Sequence, residues 1–219
     1  MTVQLKAADG HEFGAYVAGP EDAAVGLVVI QEIFGVNHHM RNVCEGFAAH
    51  GYRVVSPALF DRAERGVELG YGPEDRQRGL ALRAGIGEAA VMADVAAAAE
   101  SLGGRRLGIV GYCWGGTIAW WGATRTGLFR AAVGYYGGGI VATKDAAPRC
   151  PVQLHFGELD GSIPLKDVEA IRAAQPGVEV FVYGAAQHGF ACDERESFKP
   201  DAATLAEERT LAFLNRHLG

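Results

Sequence analysis

Leu107-Gly108-Ile109-Val110-Gly111-Tyr112-Cys113-Trp114-Gly115-Gly116-Thr117 decides how the rest of the chain is read. A buried strand predicted over 105–110 runs straight into Gly111-x-Cys113-x-Gly115, and a helix predicted over about 117–124 opens directly afterwards. Strand, glycine-flanked turn and helix in that order describe a nucleophile elbow, here carrying sulfur instead of a hydroxyl oxygen. The glycines have a physical reason. Such a turn holds the nucleophile in a strained backbone conformation, and neighbouring chains pass too close for a β-carbon. The helix amino terminus that follows also favours a thiolate. A buried cysteine can instead simply fill a gap between helix and sheet; the strand–turn–helix setting argues for the elbow.

On the amino-terminal side, Val25-Gly26-Leu27-Val28-Val29-Ile30 is a near-continuous apolar run, as expected of a parallel strand covered on both faces. Weakly alternating stretches at 3–6 and 13–17, joined around Asp9-Gly10, read as a hairpin. A helix over 39–50 stops at Gly51, and a strand over 52–56 ends at Pro57. The Ala-rich run 74–102 is interrupted by Gly79, Gly85 and Gly87 and predicts two helical pieces or one bent helix. Segment 61–73 reads as an exposed excursion. Beyond the elbow, strands at 131–136, 152–156 and 178–183 alternate with helices at 165–174 and 202–217. This alternation predicts an α/β fold with a mostly parallel central sheet flanked by helices on both faces.

With 219 residues, one domain spanning 1–219 is expected. Twenty Lys+Arg against 26 Asp+Glu give a net charge of −6. No basic run resembles a phosphate-backbone footprint, which argues against nucleic acid as a partner. No export signal or membrane-length apolar run is visible, so no membrane partner is expected and the reading is a soluble, cytoplasmic protein. Cys44, Cys113, Cys150 and Cys192 are too widely spaced for a zinc site or a C-x-x-C pair; neither a metal, a cofactor nor a disulfide framework is indicated. Glycine, 31 residues of the 219, is enriched without any repeat, which argues for many tight turns.

A thiol nucleophile needs a base. His188, in the Gly-rich stretch Tyr183-Gly-Ala-Ala-Gln-His-Gly-Phe190 just past the last predicted strand, is well placed to supply it. The other six histidines border helices, sit near the termini or, as with His155, lie inside a strand. An orienting acid belongs after the preceding strand, where Gly157-Glu158-Leu159-Asp160 offers two carboxylates. Asp160 is the choice; Glu158 can equally cap the following helix or face solvent. The order nucleophile, acid, histidine is that of α/β-hydrolases.

These segments together resemble the dienelactone hydrolase family of α/β-hydrolases over almost the whole chain. Gln31-Glu-Ile-Phe-Gly35 is similar to the family's loop after its first long strand, and Gly111-Tyr-Cys-Trp-Gly-Gly116 to its cysteine elbow. Gly157-Glu-Leu-Asp160 resembles its acid loop and His188-Gly-Phe190 its histidine loop. The resemblance implies Cys113 as nucleophile, His188 as base, Asp160 as its orienter, and Glu32 as a carboxylate that contacts the resting thiol and moves away when substrate engages. It also implies an oxyanion hole made by the backbone N–H groups of Ile33 and Trp114. A carboxylate beside a thiol disfavours the thiolate while a histidine held by an acid favours it, which would make the two a substrate-operated switch.

The implied activity is hydrolysis of a small ester or lactone through an acyl-thioester, without cofactor, by a monomer or small homo-oligomer. Arg76 matches one of the family's carboxylate-binding arginines, but Leu80 and Arg83 stand where aromatics are expected and Cys192 where a second arginine is expected. Arg76 and Arg83 share a helical face that suits either anion recognition or plain solvation beside Glu74 and Asp75. Asp193 and Arg195 offer displaced charge near the histidine loop. Phe34, Trp114 and Tyr136 are candidate apolar pocket walls, and Trp120 and Trp121 are expected in the core. The competing reading is a non-catalytic or redox-sensing relative that uses Cys113 on the same fold.

Overall fold

A computed structural model describes residues 1–219. Its strands are β1 (Thr2–Lys6), β2 (Glu12–Ala18), β3 (Val25–Ile30), β4 (Arg53–Pro57), β5 (Arg106–Tyr112), β6 (Ala131–Tyr135), β7 (Val152–Gly157) and β8 (Glu179–Tyr183). The helices are α1 (His38–Ala49), α2 (Pro73–Ala84), α3 (Glu88–Ser101), α4 (Trp114–Arg125), α5 (Leu165–Ala174) and α6 (Pro200–Leu218). The strands form one mostly parallel sheet in the order β1-β2-β4-β3-β5-β6-β7-β8. The hairpin enters it antiparallel, through β1–β2 and β2–β4, whereas β3–β4, β6–β7 and β7–β8 pair in parallel. No helix is long and apolar enough to cross a membrane. The chain divides into two compact units, Met1–Gly108 and Ile109–Gly219.

In the amino-terminal unit, Leu27 to Ile30 of β3 are fully buried, as the unbroken apolar run requires. The Ala-rich run resolves into two helices, with Gly85 ending α2 and Gly87 opening α3. Segment 61–73 is exposed at most positions, as expected, but is anchored at two buried ones. Residues 63–66 are exposed, but Val67 and Leu69 are buried. The Leu69 N–H donates to the Phe34 carbonyl at 2.8 Å, and the Asp61 carboxylate accepts the N–H groups of Gly14 at 2.7 Å and Gly66 at 3.0 Å. These bonds consume backbone polarity that a free loop would leave to water. Next to them Arg62 grips the buried Asp94 of α3 with two bonds, Nε–Oδ2 at 2.9 Å and Nη2–Oδ1 at 2.6 Å, and also reaches Asp9 of the hairpin turn. Burial pushes the Asp94 carboxyl pKa upward and the guanidinium opposes that push.

In the carboxy-terminal unit every residue of β6 and β7 is buried, and α4 is buried on all sides up to Thr124. Trp120 and Trp121 lie in this core as expected, Trp120 with its indole N–H on Thr143 Oγ1 at 3.1 Å. A polar network crosses the same core. His155 Nε2 lies 2.9 Å from Gln153 Oε1, and His155 Nδ1 lies 2.7 Å from the Tyr183 hydroxyl. The Gln153 amide nitrogen donates to Glu179 Oε2 at 2.9 Å, which fixes the amide oxygen toward the ring. An amide oxygen only accepts, so His155 is the neutral tautomer protonated on Nε2, taking a hydrogen bond on Nδ1 from Tyr183. Burial, reinforced by the charge of Arg209, pushes its pKa down to about 3.

Two expectations follow for stability. Arg62→Met leaves Asp94 buried without its cation and destabilises the fold by about 3–5 kcal/mol, measured by urea unfolding at neutral pH. Because His155 binds a proton more readily unfolded than folded, its contribution is complete above pH 6.5 and declines as pH falls toward 3. Urea titrations across that window will show a shallower acid decline in His155→Gln than in the parent protein.

Candidate active site

Cys113 directly follows β5 and caps α4, with φ 55° and ψ −114°, a conformation L-residues avoid. Its own N–H is bonded to the Tyr135 carbonyl at 3.0 Å, and its carbonyl accepts from Gly116 N–H at 3.0 Å. A β-carbon on Gly111 would lie 1.9 Å from the Gly115 oxygen, and one on Gly116 would lie 2.4 Å from the Tyr135 oxygen. Backbone meets backbone at both places, so only glycine fits. The elbow is tighter than the sequence pattern suggests: α4 begins at Trp114 rather than near 117, because the turn occupies Cys113 alone. The Trp114 N–H is therefore the first helical amide of α4, where an anion is favoured.

His188 reaches the elbow from the loop after β8. Its Nε2 stands 3.2 Å from Cys113 Sγ and its Nδ1 2.7 Å from Asp160 Oδ2. Asp160, in the turn after β7, is almost fully buried and is itself held by the Ser162 N–H on Oδ1 at 2.8 Å. Burial alone would lower the imidazolium pKa; the hydrogen bonds to Asp160 and then Cys113 outweigh it and raise it to about 10. The ring beside the sulfur is thus fixed at both nitrogens by groups that favour its protonated form. Tyr136, just past β6 with φ 37°, is buried with its ring 5.1 Å from that of His188. The other thiols are poor competitors. Burial pushes Cys44 up to about 12 and Cys150 up to about 11, and Cys192 is fully buried.

Glu32, Ile33 and Phe34 belong to the amino-terminal unit, in the loop after β3, and all three are buried. Full burial of Glu32 is notable, since an exposed carboxylate is the default for a loop. The loop is fixed by its backbone: Gln31 Oε1 accepts the Leu59 N–H at 3.0 Å, and a β-carbon on Gly35 (φ 81°) would lie 2.0 Å from the Val67 oxygen. Gly79 of α2 is pressed onto the Ile33 carbonyl, where a β-carbon would lie 1.9 Å from the oxygen. Phe34 meets Tyr71 edge-on at 4.7 Å. Arg76 is exposed on α2, as are Arg83 and Leu80.

The family model described as the dienelactone hydrolase family matches residues 13–218. The chain belongs to the dienelactone hydrolase family. It is accordingly a hydrolase. A carboxymethylenebutenolidase from Pseudomonas putida is 36% identical over 229 residues, covering 97% of this chain and 94% of the relative. A Synechocystis protein provisionally named carboxymethylenebutenolidase is 34% identical over 239 residues, covering 95% of this chain and 96% of its own. Among solved structures, a Klebsiella pneumoniae protein provisionally named dienelactone hydrolase superposes with a TM-score of 0.84 at 30% identity, covering 99% of both chains.

Within this dienelactone hydrolase family member, the carboxy-terminal unit brings Cys113, Asp160, His188, Trp114 and Tyr136 into one neighbourhood, while Glu32, Ile33, Phe34 and Arg76 share the other unit. Sequence reasoning left Glu158 between a helix cap and solvent. It is exposed, and its Oε2 also accepts the Ala185 N–H at 2.8 Å, next to the histidine loop. The left-handed φ of 54° at Ala185, an ordinary alanine, carried no sequence signal that would have pointed there.

Gly111→Ala drives a β-carbon into the first turn of α4. It is expected to cost about 1–3 kcal/mol in denaturant unfolding, and to slow iodoacetamide capture of Cys113 by at least tenfold in the protein that remains folded.

Proposed function

We propose that this protein hydrolyses small esters or lactones with Cys113 as nucleophile, His188 as proton carrier and Asp160 as its orienter. The observation that carries this reading is the continuous chain of hydrogen bonds from Cys113 Sγ through His188 to Asp160, at 3.2 and 2.7 Å, on an elbow where the nucleophile is backbone-strained. Cys113 sulfur attacks the carbonyl carbon as its proton resides on His188 Nε2. The carbonyl electrons move to oxygen, and the tetrahedral oxyanion takes the Trp114 N–H. Collapse expels the alkoxide, which leaves with the His188 proton, and yields an acyl-thioester; for a lactone the leaving hydroxyl stays tethered. Water then gives a proton to His188 and its oxygen attacks the thioester carbon; collapse breaks the C–S bond, releases the carboxylic acid and returns the Cys113 thiolate beside protonated His188.

In the same proposal the Ile33 N–H is the second oxyanion donor and Glu32 the carboxylate that opposes the thiolate until substrate displaces it, both on the strength of the Gln31–Gly35 motif. An oxyanion donor of this kind is worth about 2.7–4 kcal/mol in the transition state. Phe34 and Tyr136 are assigned as apolar walls, and exposed Arg76 as a recognition group for a carboxylate elsewhere on the substrate. The relatives named carboxymethylenebutenolidase support a lactone as the first substrate class to try.

Turnover of p-nitrophenyl acetate and of a panel of carboxylated and neutral lactones provides the test. Cys113→Ser and His188→Ala are expected to lose at least about a thousandfold in kcat, and Asp160→Asn about a hundredfold or more. Mass spectrometry of quenched wild type will show an acyl adduct on the peptide carrying Cys113. Equal turnover by wild type and Cys113→Ser would reject the assignment. Negligible turnover together with reversible peroxide oxidation at Cys113 would favour a redox sensor instead.

A further inference from the structure

His188 owes its position to a loop that does not adopt that shape by default. Residues 184–187 leave β8 and turn back through Ala185, an L-residue held at φ 54°. A β-carbon on Gly157 would lie 2.5 Å from the Ala186 oxygen and 2.9 Å from the Gln187 oxygen, so the acid loop and the histidine loop lie backbone against backbone. Besides the Asp160–His188 bond, three hydrogen bonds fix the backbone of one loop against the other: Glu158 N–H to the Tyr183 carbonyl at 2.9 Å, Leu159 N–H to the Ala186 carbonyl at 2.8 Å, and Ala185 N–H to Glu158 Oε2 at 2.8 Å. The first two are main-chain bonds that any sequence can make. Only the third depends on a side chain; it is solvent-exposed and falls on Ala185, the one non-glycine residue of the loop in the left-handed region.

We propose that Glu158 is a positioning residue for the Cys113–His188 pair. Its carboxylate clamps Ala185 in the left-handed conformation, and this fixes where the chain presents His188 three residues later. Asp160 lies two residues beyond Glu158 in the same turn, so one short segment orients the imidazole twice. Asp160 holds the ring through Nδ1, and Glu158 holds the backbone that carries it. Without the clamp Ala185 relaxes toward ordinary backbone angles, the ring retreats from Cys113 Sγ, and proton transfer suffers while substrate binding does not. This inference rests on the hydrolase reading for its kinetic consequence only; the contact between His188 and Cys113 exists whatever the substrate.

The experiment has two arms on Glu158→Ala, Glu158→Gln and the loop control Leu159→Ala, whose side chain is 58% exposed and whose main-chain bond survives substitution. In the first, Glu158→Ala is expected to lower kcat on p-nitrophenyl acetate about tenfold with KM within twofold of wild type. Glu158→Gln retains an oxygen that accepts the Ala185 N–H and is expected to recover most of the loss, while Leu159→Ala behaves as wild type. In the second, the rate of iodoacetamide capture at Cys113, read by peptide mass spectrometry at pH 7, falls at least threefold in Glu158→Ala and returns in Glu158→Gln. Should the protein prove not to hydrolyse esters, this arm still reads the clamp. Unchanged capture in a folded Glu158→Ala, failure of Gln to rescue, or an equal loss in Leu159→Ala would each overturn the proposal.

Discussion

The candidate site depends on how closely backbone approaches backbone around Cys113. The Gly115 oxygen crowds Gly111 and the Tyr135 oxygen crowds Gly116, and between them the chain must reverse within a single residue. That compression forces the positive φ of Cys113, starts α4 immediately, and places the thiol where a histidine from a different loop can meet it. Strain of this kind costs about 1–3 kcal/mol and persists only where surrounding structure over-determines it. The buried faces of α4, β6 and β7 supply that surrounding.

Much of this was legible in the sequence because glycine patterning and apolar runs report backbone requirements directly. The Val25–Ile30 strand and the helix at 165–174 have the boundaries read from the sequence, and the glycine interruptions divide 74–102 into two helices. The elbow was read from two glycines around a cysteine, and the approach of Asp160 and His188 from motif order. What escaped was side-chain polarity whose partner is distant in sequence. Nothing near Asp94 in an Ala-rich helix announces Arg62, and nothing near Glu158 announces an alanine 27 residues later. Such pairs are set by tertiary packing and have no periodicity to detect. Segment 61–73 is exposed at most positions, as its charged, glycine-rich composition reads, but for the same reason the inward turn of Val67 and Leu69 under main-chain bonds to the loop after β3 carries no local signal.

Two histidines of the carboxy-terminal unit illustrate how environment assigns roles to one residue type. His155 is surrounded by aromatic rings and neutral partners, so burial dominates and the ring stays uncharged. His188 is partly buried, but a carboxylate and a thiol face its two nitrogens and outweigh that desolvation. The first ring fills space and satisfies polar neighbours; the second is equipped to exchange a proton.

The parallel pairing of β6, β7 and β8 carries one more consequence. Parallel strands deliver their carboxy ends to the same side of a sheet, and Tyr136, Asp160 and His188 all follow such ends. The chain returns to the opposite side between them through exposed positions at Gly127, 145–147 and 176–177. Length and composition at those returns are uncoupled from the chemistry. Substitutions or insertions at those returns would leave each reactive segment on its own unbroken strand, so the surface of this unit can diverge while the arrangement of reacting groups stays fixed.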